Sequence, residues 1–247
     1  MVHQILTRER LRQAVVGLRA LGDGLLHLAL PPFCLSCGNN VPDASTLLCF
    51  ACIRSADRAD ADDVRERLDR LPAARKAIDM AYALWIFDKG GFLQHVHQAL
   101  KYGNRPHYGL YLGRILGCAY ERTLVRHPPP DVLVPIPLHR SRLYERGYNQ
   151  SDYLARGVAA VLDRPIDADR LQRPRPTRSQ TRLSRSARWE NLRDAFVVTD
   201  AAAVTDRRVL LVDDILTTGA TVGAAAHALL EAGAAAVDVV ALGLART

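Results

Sequence analysis

The chain has 247 residues, 49% apolar and 24% charged, with a formal net charge of +7. That length accommodates one good-sized domain with a small appendage and a substantial core, and the composition excludes a fibrous or wholly disordered chain. Its most apolar stretch, Leu25–Leu30, falls far short of the roughly 20 apolar residues that a membrane span needs.

Residues 1–30 predict a single amphipathic helix, with Arg8, Glu9, Arg10, Arg12 and Arg19 set among apolar residues at helical spacing and Pro31-Pro32 ending it. This mixture is not a secretory signal. Residues 31–55 are rich in loop formers and hold two C-x-x-C pairs, Cys34–Cys37 and Cys49–Cys52, with eleven residues between them. Two such turns present four thiolates to one ion, and four sulfur ligands around zinc leave no open position for catalysis, so the expected site is a structural zinc ribbon. So short a span cannot build a core, and metal binding would itself supply its folding energy. The alternatives are a redox pair or incidental buried cysteines. Four cysteines within nineteen residues suit the reducing cytosol better than a secreted disulfide framework, so the expected location is cytoplasmic.

Residues 56–80 alternate acidic and basic side chains around Val64, Leu68 and Leu71, which predicts an exposed linking helix. From Ala81 to the end, strands alternate with helices. Strands are predicted at Ala81–Phe87, Val132–Ile136, Phe196–Thr199, Arg208–Val212 and Val237–Leu242. Helices are predicted at Leu93–Tyr102, Tyr108–Val125, Tyr148–Leu162 and Thr221–Ala232. That alternation specifies an α/β domain over 81–247 with a largely parallel sheet flanked by helices. Cys118, in an apolar helical stretch, is expected in the core.

Between Arg164 and Arg193 nine arginines stand against Asp167, Asp169 and Glu190, a net of +6 and nearly the whole excess of the chain. Such a segment favours a polyanion such as pyrophosphate, a nucleotide or nucleic acid. The alternative is a solvated basic loop with no ligand.

The strongest signal is Val209-Leu-Leu-Val-Asp213-Asp214-Ile-Leu-Thr217-Thr218-Gly219-Ala220-Thr221: a buried strand, two carboxylates, then a hydroxyl- and glycine-rich turn opening a helix. In open α/β sheets ligands bind at the carboxyl ends of strands. Amides at a helix N-terminus can surround a phosphate, and Gly219 lets the backbone approach closely. Like charges repel, so Asp213 and Asp214 would instead accept hydrogen bonds from two sugar hydroxyls. No G-x-x-x-x-G-K-[ST] loop accompanies the acidic strand, which excludes a Walker-type site, and no G-x-G-x-x-G fingerprint exists. A phospho-acceptor receiver would have most of its domain after the acids, whereas only 33 residues follow Asp214.

This segment resembles the phosphoribosyl-pyrophosphate (PRPP) signature of type I phosphoribosyltransferases. The resemblance implies that Asp213 and Asp214 hold the ribose hydroxyls while Thr217, Thr218, Gly219, Ala220 and Thr221 cradle the 5′-phosphate. The paired C-x-x-C, Leu100-Lys101-Tyr102-Gly103, Val134-Pro135-Ile136-Pro137, Arg146-Gly-Tyr-Asn149-Gln150 and Arg175-Pro-Thr-Arg178 look together like the ComF family of competence-associated, phosphoribosyltransferase-like proteins. By similarity to the wider transferase fold, Pro135, Ile136 and the loop after them face the pyrophosphate, and residues near 173–190 form a flap closing over it. Mg²⁺ would accompany PRPP, because the departing pyrophosphate needs counter-charge. Arg140, Arg142 and Arg146 are candidate cations. Lys101 is a further candidate, with a plain surface lysine as its alternative. His95, His97, His107 and His139 carry no assigned role. Two functions follow: a transferase acting on an unidentified acceptor, or a PRPP- or nucleotide-binding module of DNA uptake working with single-stranded DNA and a partner ATPase. Trp189 is the only aromatic residue in the basic window, which argues against a pure single-strand binder.

Overall fold

The computed structural model describes residues 32–43, 45–88, 90–102, 105–174 and 195–246. The N-terminal helix expected over 1–30 and most of the expected flap lie outside them. The chain divides into two compact units, residues 1–54 and 55–247.

In the first unit, the left-handed turn at Gly38 (φ +72°) brings Asn40 back to bridge with Phe33. The amide of Leu35 donates to the carbonyl of Leu47 at 2.9 Å, so the two C-x-x-C turns lie against each other. A short helix, α1 (Phe50–Ser55), begins beside the second.

The second unit opens with α2 (Ala61–Asp69) and α3 (Pro72–Ala77). Asp60 caps α2 by accepting the amide of Asp62 at 2.8 Å. The segment expected as one exposed linking helix is therefore two helices packed onto the domain. Val64, Arg67 and Leu68 of α2 are buried at the i, i+3, i+4 spacing of a helix face. There follow β1 (Ala81–Phe87), α4 (Phe92–Tyr102), α5 (His107–Glu121) with a 3-10 turn at Arg122–Val125, and β2 (Val132–Pro135). Next come a helix not foreseen, α6 (Arg140–Arg146), then α7 (Gln150–Leu162), and the two-residue strands β3 (Leu171–Gln172) and β4 (Val197–Val198). Last are β5 (Arg208–Leu216), α8 (Ala220–Glu231) and β6 (Ala236–Ala245).

Four strands form a wholly parallel sheet in the order β1-β6-β5-β2, flanked by helices as the sequence predicts. The strand expected at Phe196–Thr199 instead pairs antiparallel with β3, apart from that sheet. Val209 and Leu211 of β5 join a core cluster with Val222, Ala224, Ala225 and Leu229 of α8. Leu210 and Val212 point to the other face and are buried as completely. Cys118 is exposed, contrary to expectation. Its position on α5 turns outward while Leu112, Leu116 and Tyr120 turn in.

α5 and α7 touch backbone to backbone, because glycines stand where they meet. A Cβ on Gly113 would come 2.2 Å from the carbonyl oxygen of Leu154, and one on Gly157 would come 2.4 Å from that of Leu110. Backbone cannot yield there as a flexible side chain would. Gly157→Ala is expected to cost about 1–3 kcal/mol through overpacking. Each kcal/mol lowers Tm by about 2–4 °C in a domain of this size, which scanning calorimetry measures.

Candidate phosphate-binding turn and cysteine cluster

β5 runs four residues further than the sequence predicts, so Asp213 and Asp214 lie within the strand and not beyond it. Their register opposite Ala241 and before Gly243 of β6 keeps them at the carboxyl end of the sheet. Both are buried, at 9% and 7% exposure. Buried carboxylates require donors, and these come from helix termini and helix faces around the strand end.

Asp214 Oδ2 accepts from Gln150 Nε2 at 2.9 Å and lies 3.1 Å from His97 Nε2 and 3.4 Å from Lys101 Nζ. Asp214 Oδ1 accepts the amide of Ile215 at 2.7 Å. Asp213 Oδ1 accepts the amide of Asp214 at 2.9 Å and the hydroxyl of Ser151 at 3.3 Å. Among the described residues Asp213 Oδ2 has no protein donor, and it is the only oxygen of the pair left so. Burial works to raise Asp214, but the hydrogen bond from His97 and the charge of Lys101 outweigh it and hold the carboxyl below the usual range. Burial and the neighbouring Asp214 charge push Asp213 up to about 7. The two carboxyls thus divide their roles, one held ionised and one holding a proton toward neutrality.

The turn after β5 has the properties of an anion seat. Gly219 takes φ +82°, a left-handed conformation that side chains resist, and N-caps α8. The first α-helical bond runs from the amide of Gly223 to the carbonyl of Gly219 at 2.8 Å. The amides before it have no intrahelical acceptor. Ala220 makes a long bond to its neighbour, from its amide to Thr218 Oγ1 at 3.4 Å. The register of Leu216 opposite Leu244 turns the Thr217 amide to the Leu244 carbonyl of β6, and among the described residues the amides of Thr218, Gly219 and Thr221 donate to nothing.

The other expected site residues divide. Lys101 is brought to Asp214, against the plain surface alternative. Arg146, at the end of α6, is half-buried, and its Nε is buried with no hydrogen-bond partner. Arg140 is exposed at the start of α6 and borders a cavity of about 220 Å³ lined also by Pro137, Arg173 and Pro174. Pro135 and Ile136 are buried; the amide of Ile136 donates to Val212 and its carbonyl accepts from Asn149 Nδ2. Whatever that loop offers a ligand therefore begins at Pro137. Residues 175–194, with most of the flap arginines, lie outside the described residues, as does Gly103.

Nothing in the sequence alone assigns a role to His97, Gln150 or Ser151. The available signal was Asn149, which caps α7 by accepting the amide of Ser151 at 3.2 Å. A capped helix start beside a strand's carboxyl end places its first side chains at the site.

Cys34, Cys37, Cys49 and Cys52 come together, with their ligand atoms all within 4.8 Å of one another, and this cluster can hold a metal ion. Against burial, amides of Cys37, Cys49 and Ser36 lower the Cys34 thiol to about 6, whereas burial pushes Cys52 up to about 12. A second grouping, Asp79, His127 and Asp238, lies at the opposite end of the sheet. The guanidinium of Arg208 reaches Asp79 at 2.6 Å and Asp238 at 3.2 Å, so an internal cation already balances it. Among the described residues, no helix is long and apolar enough to cross a membrane.

The phosphoribosyl transferase domain family matches residues 150–245, from the start of α7 to the end of β6. Fold and turn together define a phosphoribosyltransferase-type domain. The chain is 37% identical over 146 residues to DNA utilization protein YhgH of Escherichia coli K12, covering 58% of this chain and 63% of that protein. It is 34% identical over 152 residues to Competence protein F of Haemophilus influenzae, covering 60% and 66%. It is 38% identical over 106 residues to Competence protein ComFC of Bacillus subtilis, covering 42% and 40%. These similarities agree with the ComF resemblance that the motifs carry, and the matches span less than two thirds of the relatives' own lengths.

Asp213 gives the apo protein a distinctive pH dependence. Folded Asp213 keeps its proton up to about pH 7, whereas an unfolded aspartate releases it near about 3.9. The contribution of this group to stability is therefore full below the unfolded value and is lost as pH rises through 7. Asp213→Asn, which mimics the protonated acid, is expected to gain stability relative to wild type at pH 8 compared with pH 5.5, read from urea midpoints.

Proposed function

We propose that the chain binds PRPP at the turn Thr217–Thr221, works in natural competence or DNA use, and transfers the phosphoribosyl group to an acceptor with release of pyrophosphate. The observation that carries this reading is the group of undonated amides at Thr218, Gly219 and Thr221 beside a buried acid pair. A 5′-phosphate accepts from those amides, favoured by the positive end of α8. Asp213 Oδ2, the oxygen of the pair without a protein donor, pairs with a ribose hydroxyl, donating to it while protonated and accepting from it once ionised. Asp214 is already satisfied by Gln150, His97 and Lys101. Its part is to fix these groups and, through its charge, to favour positive charge developing on the sugar ring. Arg146, with a buried unpartnered Nε, and Arg140 supply cations toward the pyrophosphate.

With Asp214 Oδ2 already in use, the acid pair makes a poor cage for a metal, so Mg²⁺ enters on the oxygens of PRPP. When bound, it offsets the charge that leaves with pyrophosphate.

Saturating Mg²⁺–PRPP is expected to raise Tm, since ligand at a hundred times its Kd contributes about 2.7 kcal/mol. Thermal denaturation with ribose and pyrophosphate as controls measures this, and an unmoved Tm overturns the reading. Release of pyrophosphate only when an acceptor is added distinguishes a transferase.

A second reading is a PRPP- or nucleotide-binding adaptor without turnover that contacts single-stranded DNA and a competence ATPase. The relatives' names, DNA utilization and competence, favour it. It predicts PRPP stabilisation without turnover, and DNA binding whose salt slope falls when Arg175, Arg178 and Arg182 are replaced.

The cysteine cluster is proposed to hold structural zinc in the cytoplasm. Cys37 Sγ and Cys49 Sγ stand 3.7 Å apart, close to the roughly 3.8 Å edge of a tetrahedron with Zn–S bonds of about 2.3 Å. Purified protein is expected to carry one zinc per chain by elemental analysis. Cys49→Ser should lose most of it while PRPP stabilisation persists.

A further inference from the structure

Arg67 lies outside the segment matched by the phosphoribosyl transferase family, on the helix α2 that the sequence marks as an exposed linker. It is 7% exposed. Its guanidinium donates through Nη1 to the carbonyl of Thr217, and through Nη2 to the carbonyl of Ala245 at 2.6 Å. These two carbonyls stand one step past the last ladder pair of β5 and β6, Leu216 opposite Leu244. Both are acceptors that the sheet leaves behind as it ends, and the planar fork of an arginine spans them as a lysine ammonium cannot. The next residue of the same helix, Leu68, fills the space where a Cβ on Gly219 would stand 2.9 Å from its Cδ2.

The consequence for the turn is geometric. Every described peptide bond is trans. Across a trans peptide the carbonyl of one residue and the amide of the next point in opposite directions. Holding the Thr217 carbonyl toward α2 therefore turns the Thr218 amide away from α2, and among the described residues that amide has no acceptor. An undonated amide is costly to keep in place, and left alone the peptide would rotate to find water or another partner.

We propose that Arg67 is a positioning residue that presets the phosphate turn, locking the Thr217–Thr218 peptide so that its N–H faces the ligand before any ligand arrives. The role rests on the phosphoribosyl reading. It adds that part of the anion seat is built by a helix residue 150 positions earlier in the chain, one that touches no ligand itself. Preset donors bind an anion better than donors that must be turned on arrival, because the ordering is already done.

The test compares wild type with Arg67→Met, Arg67→Lys and Val64→Ala. Val64 is buried on the same helix, so its truncation loosens α2 without removing the carbonyl tie. Two quantities are measured on the full chain: affinity for ribose 5-phosphate by titration calorimetry, and amide resonances of 217–219 by NMR without ligand. Arg67→Met is expected to lose about tenfold in affinity, the worth of one charge-assisted contact, and to shift the Thr218 amide in the unliganded protein. Arg67→Lys should recover part of both, and Val64→Ala should lower Tm while leaving both near wild type. Unmoved resonances in Arg67→Met, or an equal affinity loss in Val64→Ala, overturn the positioning role. Should Arg67→Met fail to fold, Arg67→Lys at wild-type affinity with an unmoved Thr218 resonance overturns it equally. Wild type that ignores ribose 5-phosphate and PRPP alike overturns the phosphoribosyl reading instead, while the resonance shift still reports on the tie.

Discussion

Two carboxyl groups side by side at the end of a parallel strand, each less than a tenth exposed, set the terms for everything around them. In water both would ionise freely. In a low-dielectric site both cannot remain charged without donors and counter-charge. Gln150 and Ser151 open α7, and His97 and Lys101 project from the helix after β1, so separate segments converge on one strand end. Those contacts hold Asp214 ionised and leave Asp213 as the group with an oxygen to spare. A ligand hydroxyl is the missing partner that such an arrangement favours.

The sheet has a different problem at each end. At its amino end Asp238 is fully buried, and Arg208, His127 and the amide of Met80 satisfy it within the protein. Burial still raises its carboxyl above the ordinary range, against the pull of His127 and Arg208. At the carboxyl end the acids are satisfied only in part, and most amides of the following turn are not satisfied at all. Buried polar groups are normally paired, so the contrast between a closed end and an open end separates architecture from binding site. The same contrast explains why Asp79, His127 and Asp238, although grouped like metal ligands, are an ion network: an arginine already sits among them.

Close backbone approach completes the positioning. Gly113 and Gly157 let α5 and α7 meet without side chains between them, which sets where α7 begins and therefore where Gln150 and Ser151 stand. α2 reaches the phosphate turn from the other direction through Arg67 and Leu68. A rigid site assembled from several elements keeps its donors in place between encounters with a ligand.

The sequence by itself determined the alternation of strands and helices, the four-cysteine grouping and the acid-acid-turn segment. Each of these is a local pattern: periodicity marks which face is buried, and the residue types of a turn specify its backbone. It also marked Lys101 and Arg146 through local likeness, but not what they face. Only the tertiary structure decided that Lys101 reaches Asp214, that His97, Gln150 and Ser151 belong to the acid pair, and that the supposed linker supplies Arg67 to the turn. It likewise turned Cys118 outward and removed Phe196–Thr199 from the main sheet. The physical reason is the same throughout. Contacts such as Ser151 with Asp213, 62 positions apart, and Arg67 with Ala245, 178 apart, are set by how layers pack. Short-range patterning carries no record of which layer will lie opposite which.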